Sequence, residues 1–296
     1  MLSNIVRALR LPFILASILP FVFGSLIARK EFNPAGFTLG LLSVIFTHLS
    51  ANLINDYFDS RSGADWPDKD YYGFFGGSKL IQEGVFSERS YLVFAVCCAA
   101  IASVCVILLA LSLRSSFVIV AYLLIMILSW QYTAKPLAFS YNYLGELFLF
   151  VLFGPALVMG GYFIQSGAFP EIKSLILSLP FGFFTAGILF VNEVPDFPGD
   201  KKSGKNNLVS IFGVKRAYLF YYLLAAAGFL SIFTALGLGY LGFTCVFSLL
   251  VVLPVIKTGR ILKINYSDKL KLVLSSKTAI NIQVLIGVIL ILSLWV

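Results

Sequence analysis

Nine apolar stretches, each about as long as a bilayer is thick, decide what this chain folds in before any single residue is considered. They cover roughly 11–28, 37–57, 90–112, 116–133, 144–165, 171–193, 216–237, 239–256 and 279–296. A helix needs about 17 to 25 residues to cross the hydrocarbon layer. Only 12% of the 296 residues are charged, against about a quarter in a soluble domain, and 59% are hydrophobic. A water-soluble core of this length cannot hide so much apolar surface, so lipid is the solvent. The expected fold is all-α and polytopic, with about nine transmembrane helices in a single domain over residues 1–296. Arg7 and Arg10 before the first stretch give it the look of a signal peptide, but Leu11 to Ala28 is long enough to span and no cleavage site follows. It is read as the first helix.

The net charge of +8 does not point to nucleic acid, because the cations lie in short gaps between apolar runs. With the N-terminus on the inner side, only Arg29, Lys30, Arg114 and Lys173 fall outside. The other 18 of the 22 Lys and Arg, Lys69 among them, fall inside. Lys and Arg are retained on the cytoplasmic side. The expectation is an integral protein of a prokaryotic cytoplasmic membrane, its N-terminus cytoplasmic and its C-terminus outside. Cys97, Cys98, Cys105 and Cys245 lie inside apolar runs without ligand spacing, and are read as lipid-facing or core thiols.

The end of the second stretch carries Asn52, Asn55, Asp56, Asp59, Arg61, Gly63 and Asp65. On a helix Asn55 and Asp59 share one face, a turn apart. Gly63 allows the backbone to leave sharply, returning Asp65 toward Asp59. A lone aspartate here would only mark where a helix leaves lipid. Three aspartates with two amides point to function. Oxygen donors alone suit Mg²⁺, which keeps waters and binds a few carboxylates together with substrate phosphates. His48 has no second His or Cys nearby and is read as a packing residue.

The end of the sixth stretch repeats the pattern: Asn192, Asp196 and Asp200 are spaced by four, and Lys201, Lys202 and Lys205 follow. Pro195 and Pro198 each remove a backbone donor and can kink a helix, which complicates the stripe. Four spans separate the two clusters, so both emerge on one membrane face. Carboxylates for a metal beside ammonium groups are what a Mg²⁺-diphosphate needs. The metal ligands expected are therefore Asn55, Asp59, Asp65, Asn192, Asp196 and Asp200, with Asp59 and Asp196 central to catalysis. Arg61, Lys79, Lys135, Lys201 and Lys205 are assigned to diphosphate or substrate. Gly76 and Gly77 before Lys79 permit close backbone approach. Tyr132 and Tyr141 either face a carbocation or belong to an interfacial aromatic belt. A substrate matching this arrangement has an ionic diphosphate head and a long apolar tail. Metal binding improves the leaving group, and ionisation leaves an allylic cation that a dry cavity protects.

These motifs resemble the UbiA superfamily of intramembrane prenyltransferases, over most of the chain. The interval Asn55-x₃-Asp59-x₅-Asp65 is similar to the branch that prenylates 1,4-dihydroxy-2-naphthoate. So are Gly76-Gly77-Ser78-Lys79 through Gly84, Leu144-Gly145-Glu146 through Pro155, and Gly160-Gly161-Tyr162. The resemblance implies helices around a central cavity, Mg²⁺ dependence, a polyprenyl diphosphate donor and an aromatic acceptor. In the naphthoate branch it implies that the acceptor also loses its carboxylate, in menaquinone synthesis. Lys79 stands where an Arg is common, and Lys135 lies in a loop that is Gly-rich in some naphthoate enzymes. The acceptor thus stays open to 4-hydroxybenzoate or geranylgeranylglyceryl phosphate. A transporter of an anionic lipid or metabolite is the rival of a different class. It would place its polar groups near the midplane, at broken helices.

Overall fold

The computed structural model describes residues 2–68 and 70–295. Lys69, counted above with the inner charges, lies outside them, as do Met1 and Val296. Every named element is helical: α1 (Leu2–Ala8), α2 (Leu15–Ile27), α3 (Pro34–Ser62), α4 (Glu88–Leu113), α5 (Ser116–Gln131) and α6 (Gly145–Val151). There follow α7 (Leu157–Ser166), α8 (Ile172–Lys202), α9 (Leu208–Phe212), α10 (Ala217–Gly237), α11 (Val252–Asn265) and α12 (Lys269–Leu292). A π turn over Leu152–Ala156, holding Pro155, joins α6 to α7 as one span. A 3₁₀ stretch, Phe243–Val251, leads into α11. Among the described residues seven helices are long and apolar enough to cross a membrane, and Leu11–Ile27 and Ser116–Gln131 are shorter apolar helices. The chain is an integral membrane protein.

Local chemistry sets the helix starts. The Asn33 side chain accepts from the Gly36 N–H at 3.0 Å, with Pro34 in the first turn. The Glu171 carboxylate accepts from Lys173 and Ser174 N–H groups at the head of α8. Asp268 does the same for α12 through Lys271. At its far end α3 stops at Gly63, whose φ of +87° is the left-handed cap.

Long α8 sits at the centre, its Phe181, Phe190 and Val191 fully buried, packed by α2, α10 and α12. The side chains that face outward on α4 and α5 are apolar, such as Val104, Leu111 and Val120. That inversion is what lipid contact requires. Helices touch through small residues: a Cβ on Gly24 would lie 2.0 Å from the Val158 carbonyl, so α2 and α7 meet backbone to backbone.

Three sequence expectations change. Helix α8 runs unbroken through Pro180, Pro195 and Pro198, so its motif is one continuous stripe. Hydropathy ended the second and sixth spans at 57 and 193, whereas α3 and α8 continue to Ser62 and Lys202. Backbone hydrogen bonds hold a helix whatever the polarity of its side chains, so all the motif residues except Asp65, which follows the Gly63 cap, lie on helix. Finally, 257–277 is not a long loop: α11 and α12 take up all but Tyr266–Asp268. Lys257, Arg260 and Lys263 are helical because, as in α3 and α8, backbone hydrogen bonds carry the helix beyond its apolar portion.

Candidate functional site

A cavity of about 730 Å³ opens among α2, α3, α5, α6, α7 and α8. Its mouth is polar and its depth apolar. Asn55, Asp59 and Asp65 line one side of the mouth, and Asn192, Asp196 and Asp200 the other. The apolar part runs past Phe153 and Tyr122 to Phe117, Phe163 and Phe169, near the opposite ends of α5 and α7. Val120 and Leu124 line it and are also exposed on the outside of α5, so the wall opens toward lipid.

Lys205 ties the two motifs together. Its Nζ lies 3.6 Å from Asp59 Oδ2 and 3.9 Å from Asp200 Oδ1. Burial pulls this ammonium toward neutrality, but Asp200 and Asp59 outweigh it and hold its pKa well above the ordinary value. Lys205 therefore stays charged. Its place is set by its own N–H, which donates to the Asp200 carbonyl at 2.8 Å, and by Asn207 Nδ2, which donates to Asp200 Oδ2 at 3.1 Å. Tyr141 donates to Asp59 Oδ1 at 2.9 Å, and Asn55 Nδ2 to Asp59 Oδ2 at 3.2 Å.

The loop from Gly73 to Lys79 closes the mouth. The Gly76 N–H donates to Asp196 Oδ2 at 2.9 Å, while Lys79 Nζ donates to Asp65 Oδ1 at 3.1 Å and to its carbonyl at 2.8 Å. Gly76, Gly77 and Lys79 all have positive φ. A Cβ on Gly77 would stand 2.7 Å from Asp65 Oδ2, so only glycine fits there. Asp65 itself is pushed up to about 7, first by burial, then by Asp59 and Asp56, against the pull of Lys79 and Arg10. The mouth thus holds more buried negative charge than its lysines balance.

A divalent cation fits such a donor set, which is oxygen throughout. Asn192 Oδ1 is buried and has no hydrogen-bond partner, as a waiting ligand would be. Among the described residues no three His, Cys, Asp or Glu side chains converge enough to enclose an ion alone. Mg²⁺ does not require that, because it binds one or two carboxylates together with water and substrate phosphates.

Not every expected residue is at the mouth. Asn55, Asp59, Asp65, Lys79, Tyr132, Asn192, Asp196, Asp200 and Lys205 line the cavity, and Tyr141 touches Asp59. Lys135, Lys201 and Arg61 are exposed and do not line it. The loop carrying Lys135 turns Tyr132 inward and Lys135 outward. Lys201 stands off the Asp196–Asp200 face of α8, and Arg61 is drawn to the Tyr57 hydroxyl at 2.7 Å. Other contributors carry no motif. Arg10 pairs with buried Asp56, which accepts from the Ser78 N–H at 3.2 Å, and Arg7 Nε donates to the Ser78 carbonyl at 2.5 Å. Helix α1 thereby anchors the loop. Lys269 reaches the cavity from α12 and pairs with Asp68. His48 packs on Phe153, its Nδ1 2.5 Å from Ser17 Oγ.

A helical membrane protein with a polar, carboxylate-lined mouth over a lipid-open apolar cavity is the class these features define. The chain belongs to the UbiA prenyltransferase family, whose pattern matches residues 17–292. It is 29% identical over 209 residues to the 1,4-dihydroxy-2-naphthoate octaprenyltransferase of Escherichia coli (strain K12), covering 66% of this chain and 65% of that one. It is 26% identical over 204 residues to the enzyme of the same name from Bacillus subtilis (strain 168), covering 68% and 63%. The matched stretch thus spans slightly less than two thirds of either relative. A UbiA homologue from Aeropyrum pernix K1 superposes with a TM-score of 0.71 at 18% identity, over 94% of each chain. One from Archaeoglobus fulgidus, bound to GPP and Mg²⁺, gives 0.65 at 20% identity, over 97% of this chain and 99% of that one. These two likenesses establish the fold.

Proposed function

We propose that the protein transfers a polyprenyl group from an allylic polyprenyl diphosphate to an aromatic acceptor, in a reaction that needs Mg²⁺. The acceptor proposed is 1,4-dihydroxy-2-naphthoate, on the route to menaquinone. The observation that carries the reading is Lys205, set between the two aspartate motifs at the mouth of one apolar, lipid-open cavity. A transporter is disfavoured because these charges cluster at helix ends on one face. The naphthoate acceptor rests on the two relatives of that name and on the Asn55–Asp59–Asp65 interval.

Asn55, Asp59 and Asp65 would hold cation on one side, and Asn192, Asp196 and Asp200 on the other. Bound there, Mg²⁺ supplies charge stabilisation to the departing diphosphate. Lys205 and Lys79 neutralise further phosphate charge. The loop at Gly76 and Gly77 covers the head group and keeps water out. Phe153 and the apolar wall take the tail, and the Tyr132 ring faces the carbon that becomes cationic. The C1–oxygen bond to diphosphate breaks and a bond from C1 to an acceptor ring carbon forms. In the naphthoate case that carbon gives up its carboxylate as CO₂. The active site is proposed to face the cytoplasm, on the charge asymmetry of the loops.

Asp59→Ala and Asp196→Ala are each expected to abolish Mg²⁺-dependent diphosphate release in membranes while the protein stays folded. Near-normal turnover in either would refute the roles assigned. A screen of dihydroxynaphthoate, hydroxybenzoate and geranylgeranylglyceryl phosphate, read by product mass, tests the acceptor. Prenylation of either of the last two in preference to the naphthoate would overturn it.

A further inference from the structure

Helix α11 carries a charged stripe on its outer surface that the cavity does not use. Leu253, Lys257, Arg260 and Ile264 follow at intervals of four, three and four, which is one face of a helix. All four are exposed, Leu253 and Ile264 by 75% and 73%. Lys263 stands beside them, its Nζ 5.3 Å from the centre of the Tyr218 ring. The stripe lines a recess of about 300 Å³ that ends at Asn265.

These cations lie on the last turns of α11, next to its apolar part. Lys257 lies eight residues before Asn265, about 12 Å along the axis. The stripe thus runs from Leu253, in the apolar part of α11, to the polar end of the helix. Among the described residues no carboxylate lies within 4 Å of Lys257, Arg260 or Lys263. Their neighbours in sequence, Lys269 and Lys271, are paired with Asp68 and Asp268. Exposed cations beside an apolar helix surface attract the anionic head groups of lipids. Long side chains can lift their heads to the level of lipid phosphates. The turn Tyr266–Asp268 beyond α11 adjoins Lys269, which pairs with Asp68 after the first aspartate motif. The stripe therefore belongs to the aspartate-bearing face of the membrane.

We infer that this recess binds an anionic glycerophospholipid, its phosphodiester held by Lys257, Arg260 and Lys263 and an acyl chain laid along Leu253. A soluble phosphate would satisfy the cations but not the apolar residues between and below them. The complementary occupant carries both a negative head and a hydrocarbon tail.

Native mass spectrometry of the full chain in detergent tests this, with phosphatidylglycerol or phosphatidylcholine added at equal concentration. Phosphatidylglycerol is expected to be retained several-fold more. The preference should fall by up to about five-fold for each cation removed, and vanish in Lys257→Gln/Arg260→Gln/Lys263→Gln. A control of equal charge change on the same face, Arg89→Gln/Lys215→Gln/Arg216→Gln, should keep it. Glycerophosphoglycerol, the head group alone, should not compete at that concentration. The single exchange Arg260→Gln, which alters one exposed side chain, should lose part of the preference even if the triple variant folds poorly. Equal retention of the two lipids, a preference that survives the triple exchange and Arg260→Gln, or an equal loss in the control would each overturn the site. Competition by the head group alone would overturn the lipid as its occupant.

Discussion

Replacing Gly77 with alanine tests the mouth at its tightest point. The new Cβ would stand 2.7 Å from Asp65 Oδ2, 3.0 Å from Oδ1 and 3.1 Å from Cγ. Comfortable contact begins at about 3.5 Å, so the carboxylate must retreat by roughly 0.5–1 Å. It cannot move alone, because Lys79 grips both Oδ1 and the Asp65 carbonyl. The left-handed backbone at φ +79° adds a cost of about 1–2 kcal/mol for any L side chain. Gly73, four residues earlier, separates the two effects: it has φ +86° and nothing within 4 Å of its would-be Cβ. Gly73→Ala should pay the backbone strain alone, lowering thermal stability with transfer kept within a few-fold. Gly77→Ala should pay the same strain and also displace a proposed metal ligand. A 1 Å misplacement at a reacting centre costs about a hundredfold. Prenyl transfer rates in reconstituted protein, measured beside unfolding temperatures, read both terms. If Gly77→Ala turns over within a few-fold of Gly73→Ala, the Gly77–Asp65 contact does not position the site.

Four further exchanges separate the mouth from its surroundings. Lys205→Met leaves Asp59 and Asp200 without their shared cation, and truncating one partner of a buried charge pair costs about 2–5 kcal/mol. The specificity constant for the prenyl diphosphate should fall at least about thirtyfold, and a value within threefold of the parent would remove Lys205 from the site. Asp56→Ala strands Arg10, partly buried beneath the loop, and should destabilise the fold by about 3–5 kcal/mol; an unchanged unfolding midpoint in denaturant would contradict that role. Lys135→Gln and Lys201→Gln alter exposed side chains that do not line the cavity, and transfer should stay within about twofold. A tenfold loss in either would return that lysine to the substrate.

The residues of the mouth were legible in the sequence because dense oxygen donors stand out against lipid-facing stretches. Asn55, Asp59, Asp65, Asn192, Asp196 and Asp200 were found in this way, and all line one cavity. Charge beside a motif was a poorer guide. Lys201 and Lys205 follow Asp200 alike, yet only Lys205 turns inward, because its N–H folds back onto the Asp200 carbonyl after α8 has ended. Position along the chain cannot distinguish them, since the difference lies in where the helix stops. The pairings of Arg10 with Asp56 and of Lys269 with Asp68 were not legible, for a different reason. They join residues 46 and 201 positions apart, and such pairs exist only once the helices are packed.

The extension of α3 and α8 beyond their apolar portions also explains why the site can be stiff where it must carry charge. Had the chain become loop at 57 and 193, where hydropathy ends, Asp59 and Asp196 would sit on segments free to move apart under their own repulsion. Both instead lie on helix, and their relative position follows from two buried elements. The non-helical parts at the mouth are the Gly73–Lys79 loop and the strap through Lys205. Each of these supplies a donor to a carboxylate of the two motifs: Gly76 N–H to Asp196 and Lys205 to Asp59 and Asp200 on the helices, and Lys79 to Asp65 in the turn after α3. In the proposed reaction a diphosphate held with a metal would compete for the same carboxylates, and these donors would turn toward phosphate. On that reading Asp59, Asp196 and Asp200 keep the places their helices give them, and the exchange of partners falls to the loop and the strap, which no helix holds.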